Sequence, residues 1–449
     1  MRVGLMTREY PPYVYGGAGV HVEYLSRELA KAIEVEVHAW GNPPAGEKQP
    51  ETPSRDVHIG NPLEVHFEQP WEAITNGTSA KFKGALEALS LNLLEQLHLD
   101  KLDVIHTHTW YVSMAGFLAK KLYGIPFVLT THSLEPLRAW KAEQLGTGYA
   151  LSSWMERTAI LDADAIVAVS NGTKADILRV YPGVDPDRIH VIYNGIDLQQ
   201  YQYTPHQEAL LKYGIDPMKP YVLFVGRITR QKGVTHLVDA IKYLPAGTQV
   251  VLCAGAPDTP EIAAEMRAKV ESARKATPGS LPALVSVESD GIENPPGHAI
   301  ATGDPSGLGH NIVWIEQMVS KEEAIELYSH CAVFCCPSVY EPFGIINLEA
   351  MACRAPVVAS ATGGILEVVV DRDTGYLVSF AADEATGFPT EPEQFSRDLA
   401  TRITTLLDDP AKAKAMGEAG RRRVEEHFSW TAIAAQTIEL YKRLLAARP

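Results

Sequence analysis

Residues 221–233 read Tyr-Val-Leu-Phe-Val-Gly-Arg-Ile-Thr-Arg-Gln-Lys-Gly. Tyr221–Val225 is an unbroken apolar run, as a strand covered on both faces of a parallel sheet must be. The glycines at 226 and 233 then turn the chain toward a helical pattern. The same sequence of events occurs at the N-terminus, where the apolar Arg2–Thr7 is followed by a glycine loop and a helical pattern over Gly19–Ala30. The chain therefore starts one α/β unit at residue 1 and a second near residue 221.

Working outward from these two starts, short apolar runs alternate with helical patterns in both halves. The first half predicts strands at Arg2–Thr7, Val35–Ala39, Asp103–His106, Phe127–Thr131, Ala165–Val169 and His190–Ile192. Helices are expected over Ala85–Leu97 and Ser113–Leu122. The second half predicts strands at Tyr221–Val225, Gln249–Ala254, Ile312–Ile315, Ala332–Cys336, Pro356–Ala359 and Tyr376–Val378. Continuous apolar strands alternating with amphipathic helices imply α/β architecture with parallel sheets. The expected fold is two doubly wound, Rossmann-like domains facing each other across a cleft. The polar, turn-rich Asp197–Pro220 separates them. The expected division is 1–200, 201–428 and a C-terminal helix at 429–449 that crosses back to the first domain. Two stretches break the rhythm. Pro43–Pro70 reads as an irregular loop, and Thr277–Asn311, dense in Pro and Gly, reads as a surface excursion.

Composition narrows the partners. The 449 residues carry 40 Lys+Arg against 55 Asp+Glu, a formal net charge of -15. A nucleic-acid protein needs a basic face to neutralise phosphates, so no nucleic-acid partner is expected. No apolar run approaches about 18 residues, so no membrane span or membrane partner is expected. The N-terminus lacks a signal peptide's long apolar core, which points to the cytoplasm. The five cysteines sit in apolar runs without a CxxC pair, and read as buried thiols in a reducing compartment. Oligomeric state is left open, homo-oligomers included.

Ligands of doubly wound sheets bind beyond the carboxyl ends of the strands, and five loops there carry candidate chemistry. In Tyr15-Gly16-Gly17-Ala18-Gly19-Val20, glycines let a ligand approach the backbone at a helix start. A plain tight turn explains the same residues, and Val22 breaks the dinucleotide pattern. His106-Thr107-His108-Thr109-Trp110 holds two histidines, but no third metal ligand follows at a recognisable spacing. The expectation is no metal. Thr130-Thr131-His132-Ser133 places His132 at a strand end, as a functional or a structural residue. Arg227 and Lys232 form a local basic pair in an acidic chain, able to neutralise a diphosphate. Finally, Glu341-Pro342-Phe343-Gly344-Ile345-Ile346-Asn347-Leu348-Glu349 follows a strand and opens a helix at Gly344. Glu341 and Glu349 can face one ligand, as an acid and base pair or as acceptors for sugar hydroxyls.

With these motifs in order, the chain resembles the retaining GT-B glycosyltransferases of the family that contains the bacterial glycogen synthases. The E-x7-E element from Glu341 to Glu349, the Gly226-Arg227…Lys232-Gly233 element and the N-terminal glycine loop carry the resemblance, which spans nearly the whole chain. It is strongest to the actinobacterial branch, which comprises glycogen synthases and alpha-maltose-1-phosphate synthases. The resemblance implies an ADP-glucose donor and no cofactor or metal. It implies that Arg227 and Lys232 hold the donor diphosphate, aided by the N–H groups of Phe343, Gly344 and Ile345. Glu341 would bind hydroxyls of the transferred glucose, Glu349 the ribose, and His132 the glucose 6-hydroxyl. Gly16 and Gly17 would let the backbone close on the donor.

The resemblance implies glucose transfer to the end of an α-1,4-glucan, as in glycogen synthesis. The alternative acceptor is glucose-1-phosphate, giving maltose-1-phosphate. A GT-B sugar-nucleotide epimerase is a lesser alternative from another class, and a non-catalytic glucan-binding protein a third. Two departures concern the acceptor side. Val14 stands where the better-known glycogen synthases have the Lys of K-x-G-G, and Thr109 where they have the Asp of HxHDW. Both fit the branch with the shorter acceptor.

Overall fold

The computed structural model describes residues 1–14, 16–41, 63–77, 82–99, 101–138, 146–275, 311–317, 319–383 and 386–447. Its chain divides into two units, Met1–Asp197 with Phe428–Pro449, and Leu198–His427. Both are parallel sheets flanked by helices, as the sequence predicts.

The first unit holds strands β1 (Arg2–Thr7), β2 (Glu34–Trp40), β3 (Leu63–Glu68), β4 (Val104–His108), β5 (Phe127–Thr131), β6 (Ala165–Ala168) and β7 (Ile189–Val191). They lie in the order β3-β2-β1-β4-β5-β6-β7, and every neighbouring pair is parallel. Apolar side chains fill both faces, so the central strands read as unbroken hydrophobic runs. Val3, Leu5, Val35 and Val37 pack on one side, and Ile105, Phe127, Leu129 and Ile166 on the other. Phe127 needs Gly116 beneath it, because a Cβ there would sit 2.1 Å from the ring.

The second unit holds β8 (Tyr221–Arg227), β9 (Gln249–Gly255), β10 (Asn311–Ile315), β11 (Val333–Cys336), β12 (Val357–Ser360) and β13 (Gly375–Val378). Their order is β10-β9-β8-β11-β12-β13, again parallel throughout. Val222, Phe224, Val250, Leu252, Val333 and Val358 lie at the centre of its core.

The last helix, Trp430–Ala446, packs in the first unit against the helix Gly17–Ala30. Trp430 stacks on Tyr24 with ring centroids 5.9 Å apart. The contact depends on Gly195, where a Cβ would lie 2.6 Å from the Trp430 indole.

One expectation is corrected. Within Pro43–Pro70, residues 43–62 lie outside the described residues, but Leu63–Glu68 is a strand, not loop. Leu63, Val65 and Phe67 face the core, while Glu64, His66 and Glu68 alternate on the other face. The strand is at the sheet edge, where one polar face is tolerated. Of Thr277–Asn311, only Asn311 is described, as the first residue of β10. All five cysteines are buried and free. No helix of the described residues is long and apolar enough to cross a membrane.

Candidate functional site

In the second unit, β8 and β11 are adjacent strands, so the loops after them are neighbours. The Val339 N–H donates to the Gln231 carbonyl at 2.9 Å, joining the two loops. Gly233 adopts φ +59, and a Cβ there would lie 2.1 Å from the Pro337 carbonyl oxygen. Only glycine fits that position without strain. The joined loops place Lys232 against Glu341: Lys232 Nζ donates to Glu341 Oε2 at 2.6 Å. Ser338 Oγ donates to the same carboxylate oxygen at 3.0 Å. Burial works against the charge on Lys232, but Glu341 and the Cys336 thiol together outweigh it and hold the ammonium above its usual range.

Arg227 pairs with Asp258, and its charge is felt at Lys232. The expected basic pair is therefore present, with each cation set against a carboxylate. Asp258 sits in the loop after β9, and no sequence motif marked it.

Gly344 precedes the helix Ile345–Ala352 with φ +98, and no side chain caps that helix. A helix N-terminus left uncapped by protein side chains can receive an anion. Phe343 and Gly344 are buried, while Ile345 is partly exposed. The turn is braced from below by a segment the motif reading did not include. The Gly364 N–H donates to the Glu341 carbonyl at 2.8 Å. A Cβ at Gly364 would lie 2.4 Å from the Pro342 carbonyl oxygen. The pair Gly363-Gly364 after β12 was the available signal.

Glu349 lies on the same helix. Its Oε1 accepts from the Tyr201 hydroxyl at 3.2 Å and its Oε2 from the Tyr328 hydroxyl at 2.9 Å. Burial pushes its carboxyl up, against the opposing pull of the two hydroxyls.

The first unit gathers a different cluster. His106 and His108 end β4, His132 follows β5, and His21 lies on Gly17–Ala30. His108 Nδ1 and His132 Nε2 share a hydrogen bond of 3.1 Å. His21 Nδ1 bonds Asn194 Oδ1 at 2.7 Å, and the His21 and His132 ring centroids are 4.8 Å apart. His106 bonds the Tyr441 hydroxyl at 2.7 Å and Thr130 Oγ1 at 2.6 Å. Burial favours the neutral rings. It lowers His21 to about 4 and His106 to about 3, and holds His108 and His132 well below the usual imidazole range. Spacing along the chain offered no third metal ligand, yet the fold brings one atom each of His21, His108 and His132 within 4.8 Å of one another. Three neutral imidazoles could hold a metal ion by geometry, although two of them already bond each other.

At the glycine loop, Tyr15 lies outside the described residues. Gly16 precedes the helix Gly17–Ala30, and no side chain caps it there. The Gly16 N–H donates to Glu9 Oε2 at 2.7 Å. The Gly16 donor is thus held by the chain's own carboxylate.

Comparison with known proteins agrees with this architecture. Residues 15–200 match the model of Glycosyltransferase Family 4, and residues 305–423 that of Glycosyl transferases group 1. The chain is 44% identical to the alpha-maltose-1-phosphate synthase of Mycolicibacterium smegmatis over 99% of this chain and 100% of that one. It is 28% identical to the glycogen synthase of Mycobacterium tuberculosis over 98% of this chain and 94% of that one. Among solved structures, Anabaena HepE in complex with UDP and glucose superposes with a TM-score of 0.69 at 19% identity, covering 99% of this chain and 100% of that one.

Proposed function

Given that the chain belongs to the family 4 and group 1 glycosyltransferases, with relatives of the alpha-maltose-1-phosphate synthase kind, we propose that it transfers glucose from ADP-glucose to glucose-1-phosphate, releasing ADP and forming maltose-1-phosphate. The observation that carries this acceptor is the end-to-end identity of 44%, against 28% to a glycogen synthase. The order of the two acceptors read from sequence is thereby reversed. Val14 and Thr109 support the same choice.

In this reading the second unit binds the donor. Arg227 and Lys232 take the diphosphate, with the start of Ile345–Ala352 adding N–H groups and the helix dipole. Charge builds on the leaving phosphate as the glycosidic bond breaks, so cations fixed beforehand stabilise the transition state more than the ground state. The Lys232–Glu341 contact of 2.6 Å supports such preorganisation, because Glu341 holds the ammonium in place before substrate arrives. Glu341 then accepts hydroxyls of the transferred glucose, and Glu349 those of the ribose. His132 is assigned to the glucose 6-hydroxyl.

The reaction is proposed to retain configuration, with a leaving-phosphate oxygen taking the acceptor proton and no metal. Purified protein offered ADP-glucose or UDP-glucose, with glucose-1-phosphate or glycogen in parallel, tests both substrates. Maltose-1-phosphate formed fastest from ADP-glucose is the expected product.

A further inference from the structure

A second cluster of ligating side chains, distinct from His21, His108 and His132, lies in the first unit on the polar face of β2 and β3. The parallel register places Gly4, Glu36 and Glu64 in one row across β1, β2 and β3, and Met6, His38 and His66 in the next. Strand residues two apart share a face, so the two glutamates and two histidines form a square. The opposite face of these strands, Val35, Val37, Leu63 and Val65, is in the core.

Within the square, His38 is 1% exposed, and neither of its ring nitrogens makes a hydrogen bond. A buried imidazole without hydrogen bonds is costly. His38 Nε2 does point toward Glu36 Oε2, at 3.6 Å. The His66 ring stacks on His38 with centroids 4.9 Å apart, and His66 Nε2 lies 3.8 Å from Glu64 Oε2. One atom each of Glu36, His38 and His66 falls within 4.8 Å of the others. Arg2 pairs with Glu36 through Oε1, leaving Oε2 for the histidine side. A carboxylate shared in this way is oriented by its outer partner.

We propose that Glu36, His38 and His66 bind a divalent transition-metal ion of the zinc class, with Glu64 or water completing the coordination. Two imidazoles and a carboxylate are a donor set suited to zinc, cobalt or nickel and not to magnesium or calcium. With bonds of about 2.0–2.2 Å, tetrahedral ligand atoms stand roughly 3.3–3.6 Å apart. The Glu36–His38 pair is already at that spacing, and the remaining atom closes by side-chain rotation at the sheet edge. The ion satisfies His38 and ties the edge strand β3 to β2.

The test uses the full chain, stripped of metal and titrated with cobalt(II) and then zinc. One four-coordinate cobalt ion is expected per square, seen as visible d–d absorption that zinc displaces, and zinc should raise the melting temperature. His66→Gln, at the partly exposed edge, should lose the absorption and the zinc-dependent rise, its affinity falling by more than about 10-fold. His38→Gln should do the same if it folds. His21→Gln, which removes a member of the other histidine cluster, should keep both signals. Absence of cobalt binding, its persistence in His66→Gln, or its loss in His21→Gln with retention in His66→Gln would each overturn the proposal.

Discussion

Lys232 Nζ lies 2.6 Å from Glu341 Oε2, across 109 residues of sequence. The contact exists because β8 and β11 are adjacent and the loops after them are pinned together by the Val339–Gln231 hydrogen bond. It joins the two motifs on which the functional reading depends.

Lys232→Ala is expected to lower kcat by roughly 100-fold or more, as for loss of a charge-stabilising group. It should also lower the melting temperature, since the buried Glu341 carboxylate loses its cationic partner. Steady-state kinetics on variant shown to be folded by circular dichroism checks both. A folded variant with normal kcat would remove Lys232 from the proposed role.

Gly364→Ala is expected to destabilise by about 1–3 kcal/mol, the usual cost of overpacking. The added Cβ meets the Pro342 carbonyl oxygen and the Phe343 Cα at 2.4 and 2.5 Å. The Glu341–Gly344 turn must shift, so the KM for the donor should rise as well. Urea unfolding and donor titration measure the two effects. Unchanged stability would show that the turn is not braced from this side.

Tyr328→Phe leaves Glu349 Oε2 without its hydroxyl partner, which should cost about 1–3 kcal/mol. The same change should raise the already elevated pKa of Glu349, because the hydroxyl acts to lower it. Chemical denaturation at pH 7 reads the first, and a carboxyl-resolved NMR titration the second. A downward shift would contradict the stated balance.

The four neutral histidines predict an acid-side loss of stability. An unfolded imidazole titrates near 6.5, whereas His21 is lowered to about 4 and His106 to about 3. Below pH 6.5 the unfolded chain binds protons that the folded chain does not, so stability falls as pH drops through this window. His21 alone is worth roughly 3 kcal/mol at 1.36 kcal/mol per pKa unit. Lys232 gives the opposite sign. Its raised value stabilises the fold at all pH below about 10.4, a contribution lost only as pH rises through its folded value. The buried Glu95 and Glu156 carboxyls, raised by burial, act with the opposite sign over the same window, so the histidine contribution is read as a difference: unfolding free energies at pH 7, 6 and 5 should fall less, or rise more, in His21→Gln than in the parent protein. An identical pH dependence in the two proteins would contradict the burial of the His21 ring.

Most of the sheet was legible because its strands are buried on both faces. Phe127–Thr131 was read with its observed bounds because every residue in it is buried. Leu63–Glu68 escaped notice because an edge strand with one polar face shows only three apolar residues, here beside a Pro-rich stretch. Among site motifs, Glu341 and Glu349 stood out through their place after a strand and across a helix start. Glu9, Asp258, Gly364 and His21 did not, since each meets its partner through the packing of separate elements. His21 and Asn194 are 173 residues apart and meet at 2.7 Å, a contact that no local spacing encodes.

The central claim is the acceptor. Incubation of the purified protein with ADP-glucose and either glucose-1-phosphate or glycogen, with products separated by anion-exchange chromatography, tests it most directly. Maltose-1-phosphate and ADP are expected in equal amounts, with glycogen elongated far more slowly. Rapid elongation of glycogen with no maltose-1-phosphate would contradict it.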